Sequence, residues 1–191
     1  AAALMFGIFL RPDTGVLPVS GAAYEPDYTI KYDGVKLDEN YLAGIRAFAA
    51  RAGQAMLDGS QTTAYSPTAL YTALSMVTEL ASENSREALL KTLGVEDTNT
   101  LQRYTGDLWR SLCNNPGLKA PGKITIANSM WLNQDYTFNG ETLQSLANHY
   151  YAASYTGEMT NEIPQMVSDW VKKQTNDLLD CQIEPDTNTI A

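Results

Sequence analysis

Lys123-Ile-Thr-Ile-Ala-Asn-Ser-Met-Trp-Leu-Asn133 alternates apolar and small residues at period two. Ile124, Ile126, Met130 and Leu132 fall on one side, Ala127 and Trp131 on the other, and Asn128 interrupts the apolar row. Such alternation predicts a strand with both faces at least partly covered. The segments before and after it read as helices, so the strand should belong to a sheet on which helices pack. Most of that sheet is not evident in the 191 residues.

Working outward from this strand, Glu39 to Leu57 carries Leu42, Ile45, Phe48, Ala49, Ala52 and Met56 at helical spacing and closes at Asp58-Gly59. Thr62 to Tyr65 reads as a short strand. Ser66 then caps a new helix with Pro67 at its first position, where the missing amide proton costs nothing. Leu70, Leu74, Val77 and Leu80, with few charges between them, predict burial of that helix nearly all round. A short helix runs from Ser85-Arg86 to Gly94, and another from Asn99 to Asn114 with Leu101, Tyr104, Leu108 and Leu112 on one face. Beyond the strand come a helix from Phe138 to Ala152, a strand from Ser154 to Met159 and a helix from Glu162 to Leu179. The last has Ile163, Met166, Val167, Trp170, Val171 and Leu178 as its inward stripe, and Ile190 reads as the first inward residue of a further strand.

At the other end, Leu4 to Leu10 and Val16 to Ala23 are apolar runs around Arg11-Pro-Asp-Thr-Gly15, a hairpin signal weakened by Pro18. The polar stretch from Asp27 to Asp38 reads as a linker. The chain opens without Met on an apolar run of ten residues, too short to span a bilayer and without the flanks of a targeting signal.

Composition narrows the function classes. Hydrophobic content of 44% and charged content of 18% are those of a folded, soluble chain. A formal net charge of −9 disfavours nucleic acid or an anionic membrane as partner, because either needs clustered Lys and Arg to displace counterions. The acidity is scattered, which favours solubility over an acidic binding face. Cys113 and Cys181 lack metal-site spacing; two buried free thiols are the plainer reading, and a single bridge stays open. His149, the one histidine, stands beside Tyr150 and Tyr151 in a helical stretch and reads as a helix-face residue. Ser66 has a capping explanation and no Gly-x-Ser-x-Gly elbow around it, and phosphate loops and acidic metal clusters are absent. Taken alone, the residues describe a mixed helix and sheet domain that is not an enzyme and needs no cofactor.

The order of motifs resembles the N-terminal half of a serpin, the family of serine and cysteine protease inhibitors. The resemblance is carried by Phe48-Ala49, Tyr65-Ser66-Pro67, Ser85-Arg-Glu-Ala-Leu-Leu-Lys-Thr-Leu-Gly94, Ile124-Thr-Ile-Ala-Asn-Ser-Met-Trp-Leu132, Tyr150-Tyr-Ala-Ala and Val167-Ser-Asp-Trp-Val-Lys-Lys-Gln-Thr175. It covers roughly residues 40 to 191 and departs from the family pattern at several places. Ala69 stands where a second hydroxyl is usual, Ser168 where an Asn is usual, and Asp177-Leu178 where a Gly-Lys pair is usual; Glu79-Leu-Ala-Ser-Glu-Asn replaces a Gly-containing turn.

What the resemblance implies is an α+β fold with helices packed on a large mixed β-sheet, incomplete in this chain. Residues 41–191 are expected to be the N-terminal part of a serpin domain and 27–40 a linker; 1–26 resemble the terminal strands of a preceding module. The implied partner is a target protease, engaged through a reactive loop outside this segment. Once cleaved, that loop inserts into the sheet as an extra strand. By resemblance, Ser66, Pro67, Thr68, Ala69 and Asn128 belong to the region where the sheet opens, and Trp170 and Thr175 to the helix over its face. Asn128 has two readings, fixing the strand against its neighbours or satisfying a backbone group at a kink. Secretion is what the family suggests, and a non-inhibitory serpin serving as a binding or chaperone-like module is the alternative.

Overall fold

A computed structural model describes residues 20–24, 26–30, 34, 36–57, 59, 65–113 and 124–181. Its elements in chain order are β1 (Ser20–Tyr24), α1 (Glu39–Met56), α2 (Pro67–Leu80), α3 (Glu83–Leu93), α4 (Thr98–Cys113), β2 (Asn128–Asn133), α5 (Gly140–Tyr150), β3 (Ala152–Gly157) and α6 (Ile163–Gln174). The expected strands at Leu4–Leu10 and Ile190, and most of that at Thr62–Tyr65, lie outside the described residues.

Local chemistry explains most boundaries. Asp38 caps α1 by accepting the amides of Asn40 at 2.8 Å and Tyr41 at 3.1 Å. Ser66 Oγ accepts the amide of Ala69 at 3.2 Å, so Ser66 and Pro67 start α2 as expected. Arg86 closes the other end of α2, donating to the carbonyls of Thr78 at 3.2 Å and Ala81 at 2.9 Å, where a cation also complements the helix dipole. Asn139 caps α5 through the Glu141 amide at 2.8 Å, and Tyr151 stops that helix in a left-handed conformation, φ 51°.

Gly94 ends α3 at φ 74°, a conformation that costs an L-residue about 1–2 kcal/mol. Gly94→Ala should therefore lower the urea midpoint by that much stability. Gly44 is the contrasting site: it lies within α1, and an added Cβ would sit 3.5 Å from the Gly94 carbonyl, ordinary contact. Gly44→Ala should be neutral or raise stability by about 0.5–1 kcal/mol, since mid-helix glycine carries an entropic cost.

The described sheet has order β1-β3-β2. β2 and β3 are parallel, from Asn128 opposite Ala152 to Asn133 opposite Gly157, with α5 as the crossover that a parallel pair requires. β1 is antiparallel to β3, with Ser20 opposite Thr156 and an irregular register to Tyr24. Residues 20–23 of the apolar run expected to form the second arm of a hairpin thus belong to the same described sheet as β2.

Two apolar clusters hold the helices together. One gathers Tyr41, Phe48, Tyr71, Leu93, Leu101 and Leu108 from α1, α2, α3 and α4, with the ring of Tyr71 edge-on to both Tyr41 and Phe48. The other joins Met76 of α2 to Leu132, Leu143, Leu146, Tyr150 and Ala152, with Met130 and Phe138 packed on it. Met130 and Leu132 therefore share the face that meets α2 and α5. Trp131, of opposite parity, stacks on Tyr155 across the parallel pair at 4.6 Å. Both faces are at least partly covered, as the alternation predicts.

Four sequence expectations need correction. The strand begins at Asn128 rather than Ile124, because its partner β3 begins opposite Asn128; Ile124 is 45% exposed. α2 is not buried all round: Val77 and Leu80 are exposed, and the buried positions include Thr72, Ser75 and Thr78. Their hydroxyls donate to carbonyls four residues back at 2.8–2.9 Å, which satisfies them within the helix and lets polar residues occupy the interior face. β3 starts at Ala152, two residues before Ser154, because α5 ends earlier than its apolar pattern suggests. α6 ends at Gln174, and Asn176 and Asp177 turn through positive φ, which leaves Leu178 84% exposed instead of in the inward stripe. Ser168 is the most deeply buried residue of that helix.

Candidate functional site: the junction at the base of the parallel strands

Chemistry-bearing side chains converge where α5 turns into β3, next to the start of β2. The pivot is Tyr150, the last residue of α5 and fully buried. Its carbonyl accepts from Asn128 Nδ2 at 2.6 Å. Its hydroxyl donates to Glu79 Oε1 at 2.6 Å, and Gln102 Nε2 donates to the same oxygen at 2.9 Å while reaching Ser145 Oγ at 3.0 Å. The group that Asn128 satisfies is a helix-terminal carbonyl next to the left-handed Tyr151, and the bond links the start of β2 to the end of α5.

The neighbouring ring system closes the junction from α4. Trp109 stacks on Tyr151 with centroids 3.8 Å apart, and its indole N–H donates to the Ile126 carbonyl at 2.8 Å. Tyr28, from the stretch read as a linker, lies 5.8 Å from Trp109 and 6.4 Å from Tyr151. Arg110 pairs with Asp107 and reaches the Tyr151 hydroxyl at 3.4 Å. Gly106 lets α4 approach this end of α5, since a Cβ there would stand 3.3 Å from the His149 carbonyl.

The electrostatics favour structure over catalysis. Burial, and then the Glu79 charge, push the Tyr150 phenol far above its ordinary value. Burial likewise raises Tyr41, and pushes Tyr71 up to about 12. All three phenols remain protonated at neutral pH, so none is poised for proton transfer. The crevice between Thr68, Thr72, Thr105, Leu108, Trp109, Ile126 and Tyr150 is too narrow to hold a water molecule. Among the described residues no group of three His, Cys, Asp or Glu side chains is placed to hold a metal, and no helix is long and apolar enough to cross a membrane. Cys113 and Cys181 are both half-buried.

The residues singled out for sheet opening are only partly brought together. Thr68 borders the crevice that Tyr150 also lines, and Asn128 bonds the Tyr150 carbonyl, so both lie next to one residue. Pro67 is half-buried at the start of α2, while Ser66 and Ala69 face solvent there. On α6, the Trp170 indole nitrogen is buried with no acceptor among the described atoms. Thr175 caps the helix, donating to the Val171 carbonyl at 2.9 Å and accepting the Leu179 amide at 3.2 Å. Sequence reading missed the Glu79–Gln102–Tyr150 cluster. The available signal was Glu79 itself, the one charged residue in α2.

A serpin profile, described as "Serpin (serine protease inhibitor)", matches residues 43–191. The chain belongs to the serpin family. Serpin-ZX of Arabidopsis thaliana is similar to it at 20% identity over 118 residues, 60% of this chain and 30% of that protein. Among solved serpin structures, native tengpin, a thermophilic serpin, matches 87% of this chain with a TM-score of 0.74 and 22% identity. A loop C-sheet serpin polymer matches 86% with a TM-score of 0.72, and Arabidopsis AtSerpin1 in its native stressed conformation matches 81% with 0.65. The chain spans 43%, 43% and 40% of those three serpin chains, so the fold is a serpin-like α+β fold, incomplete here. Serpins are in general protease inhibitors rather than enzymes.

Proposed function

We propose that this chain is part of a serpin-type inhibitor of serine or cysteine endopeptidases whose reactive loop lies outside residues 1–191. The observation that carries the reading is the parallel pair β2 and β3, backed on one face by α2 and α5, in a fold that matches a native serpin. In this reading the target protease attacks the loop, its nucleophile becomes acylated by the loop carbonyl, and the freed loop enters the sheet as a new strand. The native fold must then be kinetically held, with energy released only on insertion. Residues 41–191 supply the part of the sheet against which opening occurs, with Thr68 and Asn128 at the junction and the helix carrying Trp170 and Thr175 expected over the sheet. Ser66, Pro67 and Ala69 set the start of α2. Residues 1–26 are inferred to come from a preceding module, 27–40 to connect the two, and the parent protein to be secreted.

The test is to incubate the full-length parent and the 191-residue chain separately with a panel of serine and cysteine endopeptidases. A complex stable to boiling in SDS is expected from the parent alone. A parent cleaved as a simple substrate would overturn the inhibitory reading, and a covalent complex with the 191-residue chain would overturn the placement of the loop.

A further inference from the structure

Glu79 breaks two local rules. It is the one charge in α2, and it sits in the last turn, where the helix dipole disfavours an anion. It is also half-buried, and among the described residues no Lys or Arg pairs with it; Arg86, nearby in sequence, is engaged with the carbonyls of Thr78 and Ala81. A carboxylate so placed is retained through its tertiary partners, because one left without them would lose hydration with nothing in return and destabilise the helix end.

Those partners converge from two elements. Tyr150 Oη and Gln102 Nε2 both donate to Oε1, at 2.6 and 2.9 Å. Tyr150 is held at its other end by Asn128, and the next residue, Tyr151, has a left-handed backbone that persists only if its surroundings hold it. We infer that Glu79 is a positioning residue, which acts through Tyr150 to hold the α5–β3 junction and, through Asn128, the start of β2. This extends the proposed function by naming what restrains the parallel strands on the α2 side, and its importance for inhibition rests on that reading. The hydrogen-bond relay itself does not.

Hydrogen exchange on the 191-residue chain separates the two. Charge-assisted hydrogen bonds contribute about 1.5–3 kcal/mol, equivalent to tenfold or more in a local opening equilibrium. Glu79→Leu is expected to speed exchange of the β3-bonded amides of β2 at least about tenfold. Tyr150→Phe should do the same, and the double variant should be no faster than either single variant. Glu79→Gln, which keeps the accepting oxygen, should stay within about threefold of the parent sequence. Unchanged β2 exchange in Glu79→Leu or Tyr150→Phe, or effects that multiply in the double variant, would overturn the inference. Should Glu79→Leu fail to fold, Tyr150→Phe and Glu79→Gln decide it, the first removing a single hydroxyl and the second only the charge.

Discussion

Trp109→Ala is expected to cost about 3–5 kcal/mol, the range for removal of a buried tryptophan. Trp109 is buried, lies flat on Tyr151 and donates its indole proton to the Ile126 carbonyl. Truncation would open a cavity between α4 and the α5–β3 junction and leave a carbonyl in the approach to β2 without its donor. The loss should appear in chemical denaturation as a lower midpoint with an unchanged slope. Trp109→Phe keeps the stack and loses only the hydrogen bond, so it should recover most of the stability. A loss below 1 kcal/mol in Trp109→Ala would show that the junction does not depend on this ring.

Leu132→Ala is expected to cost about 2–5 kcal/mol. Leu132 is 0% exposed and joins Met76, Leu143, Leu146 and Tyr150, so it carries the contact between the sheet and both helices beneath it. Leu178→Ala is the matched control: the residue is 84% exposed, and its truncation should stay within about 0.5 kcal/mol. Equal effects at the two positions in urea titrations would contradict the assignment of β2's inner face.

How far these features were legible in the sequence follows from what sets each one. These two helix boundaries were readable because capping is local: Ser66-Pro67 at the start of α2 and Gly94 at the end of α3 do in the structure what their types prescribe. The alternation of Met130, Trp131 and Leu132 likewise reports two faces correctly, since side-chain parity is a property of the strand alone. Strand ends are not local. β2 starts at Asn128 because β3 starts opposite it, a fact about the partner that Ile124 and Ile126 cannot encode. α2 misled for a different reason: Thr72, Ser75 and Thr78 bury themselves by bonding their own helix, while Val77 and Leu80 stay out.

The site was harder still. Asn128 stood out as a polar interruption, but its acceptor is a carbonyl 22 residues on. Glu79 and Tyr150 are 71 residues apart, and nothing in the local pattern of either announces the other. Family resemblance selected the start of α2 and Asn128 of β2, yet of those α2 residues only Thr68 borders the crevice that Tyr150 lines, with Ser66 and Ala69 at the surface. The polar relay that fastens this junction runs from the opposite end of α2.

The proposed mechanism requires that the sheet containing β2 and β3 accept a further strand after loop cleavage. The most direct test is the thermal unfolding of the full-length parent before and after a single cut in its reactive loop. A cut protein that unfolds at a clearly higher temperature than the intact one is the predicted result, because the inserted strand adds ladder hydrogen bonds and buried area to the sheet. An unchanged or lower unfolding temperature would contradict the mechanism.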